Sequence, residues 1–344
     1  MAIFLFYIAI SSFWSDASMK EIFTGVKKQW YFLPIFIIYR YIKKEYIPYA
    51  ISIFLFGMLI SELLSYGVIF SLWKIRFATP LNPSIFLHHI QYSIFLALTA
   101  IILFFKGFWD KNSKMRVVYF LFFTTVTLNL FLNIGRTGYI VFLATLVLAL
   151  TRIYRFRVKA ILIILISTIF SIVLVYSISS NFRTRVYQGT VDIQKLMTKG
   201  DYNTSIGSRF ALWIAAEDIW VKNPLFGVGV AEHINKKNEF ARKNRKFEFL
   251  TKIKHFHNSF LEILTQFGLV GLSLFLYILY LISKIPLKNR FINIVKISLL
   301  SIFILGDFAD RLFYLNSTMS LFALMCGLIF AQYRFENRKT KYAV

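Results

Sequence analysis

Two histidines at the end of a long polar stretch are the side chains in this sequence best suited to acid–base chemistry. His255 and His257 belong to the segment 255–262, HFHNSFLE, which runs directly into an apolar stretch. A neutral imidazole accepts a proton near neutral pH, because the ordinary pKa of histidine is about 6.5. The pair therefore predicts a general base at a boundary between water and membrane. Zinc binding is the weaker alternative, because zinc needs a third ligand and neither a nearby Cys nor an HExxH motif offers one.

The same segment also has a local structural explanation. Ser259 and Glu262 have the spacing of a capping box, in which each side chain accepts a hydrogen bond from a backbone N–H at the start of a helix. Asn258 is suited to local capping as well. This interpretation accounts for the polar residues of the segment and leaves the two histidines unexplained.

Two arginines are candidate phosphate ligands. Arg136 lies in the very short turn GRTG at 135–138, between two apolar segments, and Arg209 begins a stretch with helical spacing. A guanidinium keeps its charge at all relevant pH values and offers paired donors that match phosphate oxygens. The alternatives for both residues are snorkelling to the membrane surface and an ion pair with an acidic residue such as Asp307 or Asp310.

Other ionisable residues occur within or beside apolar segments, where charge is costly and such groups are functional candidates. His88 and His89 lie near the outer end of one segment, and we predict that they line an entry path for a lipid substrate. Asp307 and Asp310 are predicted to pair with the neighbouring Arg311. Paired carboxylates acting as in a glycosidase are the less favoured interpretation.

Transmembrane helices must position these residues. The chain is 58% hydrophobic and only 16% charged, with a mean hydropathy of +0.63, which leaves too little polar surface for a soluble protein. Several apolar segments exceed the 18 residues that mark a candidate membrane helix. The ten segments are 1–13, 30–42, 47–69, 85–105, 116–133, 138–151, 158–179, 259–283, 291–306 and 312–332. The predicted fold is an all-α, polytopic transmembrane helix bundle of about ten segments. Its short first segment is expected to be an incomplete helix and not a signal peptide.

Basic residues between the segments predict the orientation. The formal net charge is +24, but the basic side chains lie mainly in connections, so we expect them to orient the chain and not to bind nucleic acid. Every second short connection is richer in Lys and Arg than the connections between them. Because cytoplasmic loops are the more basic ones, this places both termini in the cytoplasm. The chain then divides into N-terminal helices at 1–179, a large outward-facing loop at 180–258, and C-terminal helices with a cytoplasmic tail at 259–344.

The large loop contains an amphipathic pattern followed by a basic stretch. Phe210, Trp213, Ile214, Trp220 and Val221 recur at helical spacing, which predicts a helix that lies on the membrane or on the bundle. The basic stretch is predicted to be solvated or to contact anionic lipid head groups, with an anionic glycan or a phosphate as the alternative ligand. Its members are Lys236, Lys237, Arg242, Lys243, Arg245, Lys246, Lys252 and Lys254.

Three blocks of the sequence resemble the O-antigen ligase family, which shares a superfamily with O-antigen polymerases and bacterial protein O-oligosaccharyltransferases. The first block is NIGRTGY at 133–139, and the second combines GSR at 207–209 with NPLFGVG at 223–229. The third is His257-Asn258 followed after nine residues by GLVG at 268–271. The family usually has about twelve membrane helices, so the part missing from this chain would be N-terminal.

The resemblance implies an enzyme of the bacterial inner membrane whose active site faces the periplasm and needs neither a metal ion, a nucleotide nor a cofactor. Its donor would be an undecaprenyl-diphosphate-linked glycan, and its acceptor a sugar hydroxyl of the lipid A core. His257 would act as general base, while Arg136 and Arg209 would stabilise the charge that develops on the diphosphate. The further predicted substrate-binding residues are His255, Asn258, His88 and His89.

Three other functions remain open on the sequence. A polymerase would join one repeat unit to another, and a protein O-oligosaccharyltransferase would use a Ser or Thr side chain as acceptor. A transporter or flippase would carry out no chemistry. Transporters commonly show internal repeats with interrupted helices at matching positions of two halves, and this sequence shows no such symmetry.

Overall fold

A computed structural model describes residues 1–76, 78–80, 82–153, 162, 173, 176–177 and 180–341. All regular secondary structure in these ranges is helical, so the predicted all-α class is confirmed. The predicted apolar segment 158–179 falls almost entirely outside the described residues. The other predicted segments coincide with helices.

The helices have the following bounds. The α-helices are Ala2–Ile10, Met19–Lys28, Leu33–Tyr41, Tyr46–Ile69, His89–Trp109, Ser113–Leu132, Arg136–Ile153, Ser180–Lys199, Gly207–Lys222, His233–Lys243, Ser259–Lys284, Arg290–Asp307 and Asn316–Lys341. Short 3-10 helices occupy Ser11–Trp14, Gln29–Phe32, Arg245–Lys252 and Leu312–Tyr314.

Five of the described helices are long and apolar enough to cross a membrane. They are Tyr46–Ile69, His89–Trp109, Ser113–Leu132, Ser259–Lys284 and Asn316–Asn337. The apolar helices Ala2–Trp14 and Thr137–Ile153 are shorter. The chain is thus a multi-pass membrane protein, whereas the total of ten spans and the orientation of the loop stay predictions.

The chain forms two compact units, each built from segments that are distant in sequence. The first unit comprises Met1–Leu33, Val186–Lys284 and Asp307–Met319. The second comprises Pro34–Arg185, Ile285–Gly306 and Ser320–Val344. The predicted division into three consecutive parts concerns membrane topology, which these units do not test.

In the second unit, the His89–Trp109 helix packs against Ser113–Leu132 and Arg136–Ile153. Leu96 and Leu98 on this helix are fully buried. A helix that is apolar on every side is stable where other helices or lipid surround it. Its N-terminal end is the position of His88 and His89.

In the first unit, the Gly207–Lys222 helix confirms that the predicted helix exists, but its large apolar residues are not the buried ones. Its buried stripe consists of small and medium side chains: Ala211, Leu212, Ala215, Ala216 and Ile219. The large residues Phe210, Trp213 and Val221 are exposed. The buried stripe packs in one core cluster with Phe256, the residue between the two histidines.

A backbone crossing joins the loop 224–229 to the Ser259–Lys284 helix. This helix is interrupted at Gly268, where φ is 63° and ψ is −164°. Loop and helix exchange four N–H to carbonyl hydrogen bonds of 2.8–3.1 Å: Val228 to Thr265, Gly229 to Gln266, Leu269 to Pro224 and Val270 to Leu225. The backbone groups near the interruption are therefore satisfied by the loop.

Only glycine fits at the centre of this crossing. Gly227 and Gly268 both have positive φ, a conformation that residues with a Cβ atom rarely adopt. A Cβ at Gly268 would lie 2.2 Å from the carbonyl oxygen of Leu225, and one at Gly227 would lie 2.4 Å from the backbone of Gln266. The glycines of the second and third sequence blocks thus form one close backbone contact.

Candidate active site

The two histidines lie on the short connection between the Arg245–Lys252 and Ser259–Lys284 helices. Phe256 between them is fully buried, and its N–H donates to Oε1 of Glu262 at 3.0 Å. The rings of His255 and His257 meet edge to face, with their centroids 4.0 Å apart. His257 has a φ of 52°, which is uncommon for a residue with a Cβ atom. The anchored Phe256 and the tight turn at His257 hold the two imidazoles against each other.

Asp307 fixes the turn that faces these histidines. Its buried carboxylate accepts hydrogen bonds from the N–H and the hydroxyl of Ser259, at 2.8 and 2.6 Å, and from the N–H of Leu312 at 2.9 Å. One side chain therefore joins the start of the Ser259–Lys284 helix to the turn 307–312, which carries Asp310 and Arg311.

The predicted capping box between Ser259 and Glu262 is wrong. Oδ1 of Asn258 caps the helix by accepting the N–H of Leu261 at 3.2 Å, so the capping alternative for Asn258 is confirmed. Ser259 is one residue too late to be the cap, and its hydroxyl binds Asp307. Glu262 turns back to the N–H of Phe256. In this structure Asn258 is a buried cap, and its predicted role in substrate binding stays a prediction.

Asp310 meets the imidazole of His257. Its Oδ1 lies 3.5 Å from Nδ1 of His257, a close contact just longer than a normal hydrogen bond. Burial acts to raise the pKa of Asp310, but the contact with His257 and the hydrogen bond from the N–H of Arg311 outweigh burial and lower it. Asp310 is therefore a charged carboxylate beside His257.

Arg209 reaches the same turn from the Gly207–Lys222 helix. Its Nη2 donates to the carbonyl oxygen of Ala309 at 3.1 Å, and its Nη1 donates to the carbonyl oxygen of Ser205 at 2.6 Å. Ala309 precedes Asp310, so Arg209 and His257 contact adjacent residues of one turn. These two predicted site residues are brought together.

Arg311 makes a different ion pair from the one the sequence predicts. Its Nη1 lies 3.6 Å from Oε1 of Glu262, whereas Asp307 binds Ser259 and Asp310 contacts His257. The prediction failed because neighbours in sequence point in different directions on a tight turn. Sequence reasoning thus missed Asp310, Arg311 and Glu262 as parts of the site, although Glu262 stands in the HFHNSFLE segment.

Arg136, His88 and His89 belong to the second unit. Arg136 is the first residue of the Arg136–Ile153 helix. His88 is the N-cap residue of the His89–Trp109 helix, and the rings of His88 and His89 lie 4.0 Å apart. Their predicted position at a helix end is confirmed. The convergence of Arg136 with Arg209 and His257, and the contact of His88 and His89 with a lipid, stay predictions.

The basic stretch is partly structural. Lys237 is fully buried, and its ammonium group donates to the carbonyl oxygens of Leu250 and Ile253. Lys236 pairs with carboxylates, among them Glu232 at 3.5 Å. Exposed members such as Arg242 are open to solvent or to lipid head groups, whereas the solvated interpretation is wrong for Lys237.

A cavity of about 480 Å³ lies in the first unit, next to this turn. Its lining includes Lys28, His233, Glu262, Arg311 and Tyr314. His233 is a residue for which the sequence offers no signal beyond its type, because it reaches the cavity only through folding of the His233–Lys243 helix.

Burial sets the protonation of two histidines here. Burial is the largest cause that lowers the pKa of His233 to about 3, and nearby cations including Arg311 act on it in the same direction. Burial, the neighbouring His257 and Arg311 lower the pKa of His255 to about 3, against the opposing effect of Asp310. Both imidazoles are neutral near pH 7, so each presents one lone pair and one N–H.

Comparison with known families adds an independent result. Residues 120–276 match the family model described as O-antigen ligase. This range includes all three sequence blocks, the histidine pair and both candidate arginines. No curated protein matches the chain. The predicted resemblance is confirmed: this multi-pass membrane protein carries a domain that matches the O-antigen ligase family at residues 120–276, and that domain implies a membrane glycosyltransferase of the O-antigen ligase and polymerase type.

Proposed function

We propose that the protein transfers a glycan from undecaprenyl diphosphate to a sugar hydroxyl of the lipid A core, at the periplasmic face of the bacterial inner membrane. The observation that supports this most directly is the meeting of His257 and Arg209 at the turn 309–310, inside the matched domain. This arrangement pairs a proton acceptor with a cation that suits phosphate oxygens.

His257 is the general base in this proposal. With Nδ1 directed at the Asp310 carboxylate, the Nδ1–H tautomer is favoured and Nε2 keeps its lone pair for the acceptor. Nε2 takes the hydroxyl proton, and the oxygen forms a bond to the anomeric carbon. The bond from that carbon to the diphosphate oxygen breaks, and its electron pair leaves with undecaprenyl diphosphate. Asp310 stabilises the imidazolium that forms.

Arg209 and Arg136 stabilise the leaving diphosphate. Negative charge develops on its bridging oxygen as the glycosidic bond breaks, and a fixed guanidinium acts on that charge without reorganisation. The guanidinium of Arg209 donates hydrogen bonds to the carbonyl oxygens of Ala309 and Ser205, and these bonds fix its orientation. The role of Arg136 rests on the GRTG block alone. His255 binds the acceptor or orients His257, and His88 and His89 contact the carrier lipid.

Substitution tests the two assignments within the first unit. His257→Ala and Arg209→Ala should each reduce transfer at least 100-fold. General-base catalysis contributes about 10²–10⁴, and one preorganised donor to a developing negative charge contributes about 10²–10³. Transfer is measured as long glycan on the lipid A core, in cells that lack their own ligase. Membrane insertion and protein level are measured in the same cells.

Arg242→Ala is the matched control, because Arg242 is an exposed arginine of the same unit. It should transfer glycan at the wild-type rate. Wild-type transfer by His257→Ala or by Arg209→Ala, at normal protein level, would remove that residue from the mechanism.

The identity of the acceptor is tested with the wild-type chain. The same site chemistry serves a polymerase or a protein O-oligosaccharyltransferase if the incoming hydroxyl belongs to another repeat unit or to a Ser or Thr side chain. Expression in cells without a ligase, and separately in cells without a polymerase, separates these cases. Glycan on the lipid A core supports the proposal, whereas extension on the carrier lipid or glycosylated protein would overturn it.

A further inference from the structure

The cavity of the first unit has a polar floor with unsatisfied atoms. Nδ1 of His233, Oε2 of Glu262 and Nε of Arg311 are buried and have no hydrogen-bond partner among the described residues. His233 and Glu262 are only 7% and 1% exposed. Leaving a buried polar group without a partner is unfavourable. The three residues that carry these atoms all line the cavity, so its lining is polar and charged.

The floor combines donors and acceptors. Glu262 offers a carboxylate oxygen, and Arg311 offers an N–H. Tyr314 accepts a hydrogen bond from Nε2 of Gln266 at 3.0 Å, which leaves its own O–H available as a donor. Burial raises the pKa of Tyr314 well above its usual value, so this proton is retained. Adjacent hydroxyl groups of a sugar both donate and accept, and they match such a floor.

The rim of the cavity is cationic. Lys20 and Lys28 reach it from the Met19–Lys28 helix, and Lys254 reaches it from the connection before His255. Lys20 and Lys254 are exposed and Lys28 is half-buried. Glu21 also lines the cavity and accepts hydrogen bonds from Ser18 in a capping box, but the three lysines outnumber it. The rim therefore favours a ligand with negative charge.

We propose that this cavity binds a sugar residue that carries a negative charge, either a uronate or a phosphorylated sugar. The inference rests on the proposed function, because it gives the transferred glycan or its acceptor a second subsite. The volume of about 480 Å³ lies within the roughly 300–1,000 Å³ of small-molecule sites.

The backbone connects this subsite to the proposed base. Glu262 on the cavity floor holds the N–H of Phe256, the residue before His257. Arg311 directly follows Asp310, the partner of His257. A sugar bound in the cavity therefore lies beside the elements that orient the base.

Direct binding to the purified full-length protein in lipid nanodiscs tests the proposal. Glucuronate, glucose 6-phosphate and glucose are titrated separately by calorimetry. At least one anionic sugar should bind tenfold or more tightly than glucose. Tighter binding of glucuronate points to an acidic glycan residue, and tighter binding of glucose 6-phosphate points to a phosphorylated sugar.

Two neighbouring lysines provide a matched pair of variants. Lys28→Met should weaken binding of the preferred anionic sugar about five- to tenfold and leave glucose unchanged. Lys27→Met should leave both unchanged, because Lys27 is exposed on the same helix and is not part of the cavity lining. Equal affinity for charged and neutral sugars, or equal effects of the two substitutions, would overturn the subsite.

The binding measurement contains no lipid-linked donor, so its outcome is independent of transfer. Charge-selective binding that persists while His257→Ala transfers normally would overturn the proposed mechanism and keep the subsite. If His257→Ala loses transfer but the protein shows no preference for an anionic sugar, the proposed mechanism is supported and the subsite is overturned.

Discussion

At the level of single side chains, the proposed role of His257 depends on Asp310. An imidazole that takes a proton becomes a cation, and a carboxylate at its other nitrogen stabilises that cation and fixes the tautomer. Asp310 is 6% exposed and lies 3.5 Å from Nδ1 of His257. Water screens this pair less than it would screen a pair on an open surface.

Asp310→Asn should therefore lower the transfer rate about 100-fold while the protein still folds. The amide keeps the shape of the carboxylate but removes the charge that stabilises the imidazolium. The rate is measured with purified protein and a lipid-linked glycan at saturating donor.

Asp218→Asn serves as the control for this substitution. Asp218 pairs with Lys222 on the surface of the Gly207–Lys222 helix, away from the turn, and its loss should leave the rate unchanged. An unchanged rate for Asp310→Asn would show that the carboxylate has only a structural role.

The sequence allowed some of these residues to be predicted and not others. His257 and Arg209 stand out by residue type and by their place in short motifs. Asp307 and Ser259 are 48 positions apart, and nothing in local spacing indicates that they bind each other. The same holds for His233, which meets Glu262 and Arg311 only when three distant segments pack together.

At the level of helices, the periodicity of apolar residues predicts that a helix exists better than it predicts which face of the helix is buried. The pattern of Phe210, Trp213 and Val221 correctly indicates a helix at 207–222. These large side chains are nevertheless exposed, and alanines such as Ala211 and Ala215 are buried. Small residues let helices approach closely, so the alanine stripe and not the largest apolar residues packs against the rest of the first unit.

The crossing of Gly227 and Gly268 yields a prediction for stability. Gly268→Ala should destabilise the fold by about 2–5 kcal/mol, because it combines strain at positive φ with overpacking. The new methyl group would lie 2.2 Å from the carbonyl oxygen of Leu225. The thermal midpoint of the protein in detergent, followed by circular dichroism, measures the effect.

Gly57→Ala is the natural comparison. A Cβ at Gly57 meets nothing within 4 Å, and alanine favours the interior of the Tyr46–Ile69 helix by about 0.5–1 kcal/mol. The midpoint of this variant should be equal to or above that of the wild type. A normal midpoint for Gly268→Ala would mean that the backbone contact is not needed for folding.

At the level of the whole molecule, the proposed reaction requires the long connection to face away from the cytoplasm. The charge bias of the short connections predicts this side, and a labelling experiment tests it. Met197→Cys, at an 81% exposed position of the Ser180–Lys199 helix, should react with a membrane-impermeant maleimide once the outer membrane is permeabilised. Lys111→Cys, in an exposed short connection on the predicted cytoplasmic side, should react only after lysis.

The native cysteine provides the background for this experiment. Cys326 is fully buried, so the unsubstituted chain should remain unlabelled. Labelling of Lys111→Cys in cells with an intact inner membrane would reverse the predicted orientation and place the candidate site on the wrong side for a periplasmic reaction.

The break at Gly268 also limits how far the reaction centre can stand from the lipid. The stretch 269–284 rises only about 24 Å at 1.5 Å per residue, less than the roughly 30 Å of bilayer hydrocarbon. On the predicted topology, the first turns of the Ser259–Lys284 helix must therefore begin at head-group depth and not far out in the water. If the proposed function is correct, a carrier lipid anchored in the bilayer would present its diphosphate at the height of His257 without being pulled out of the membrane.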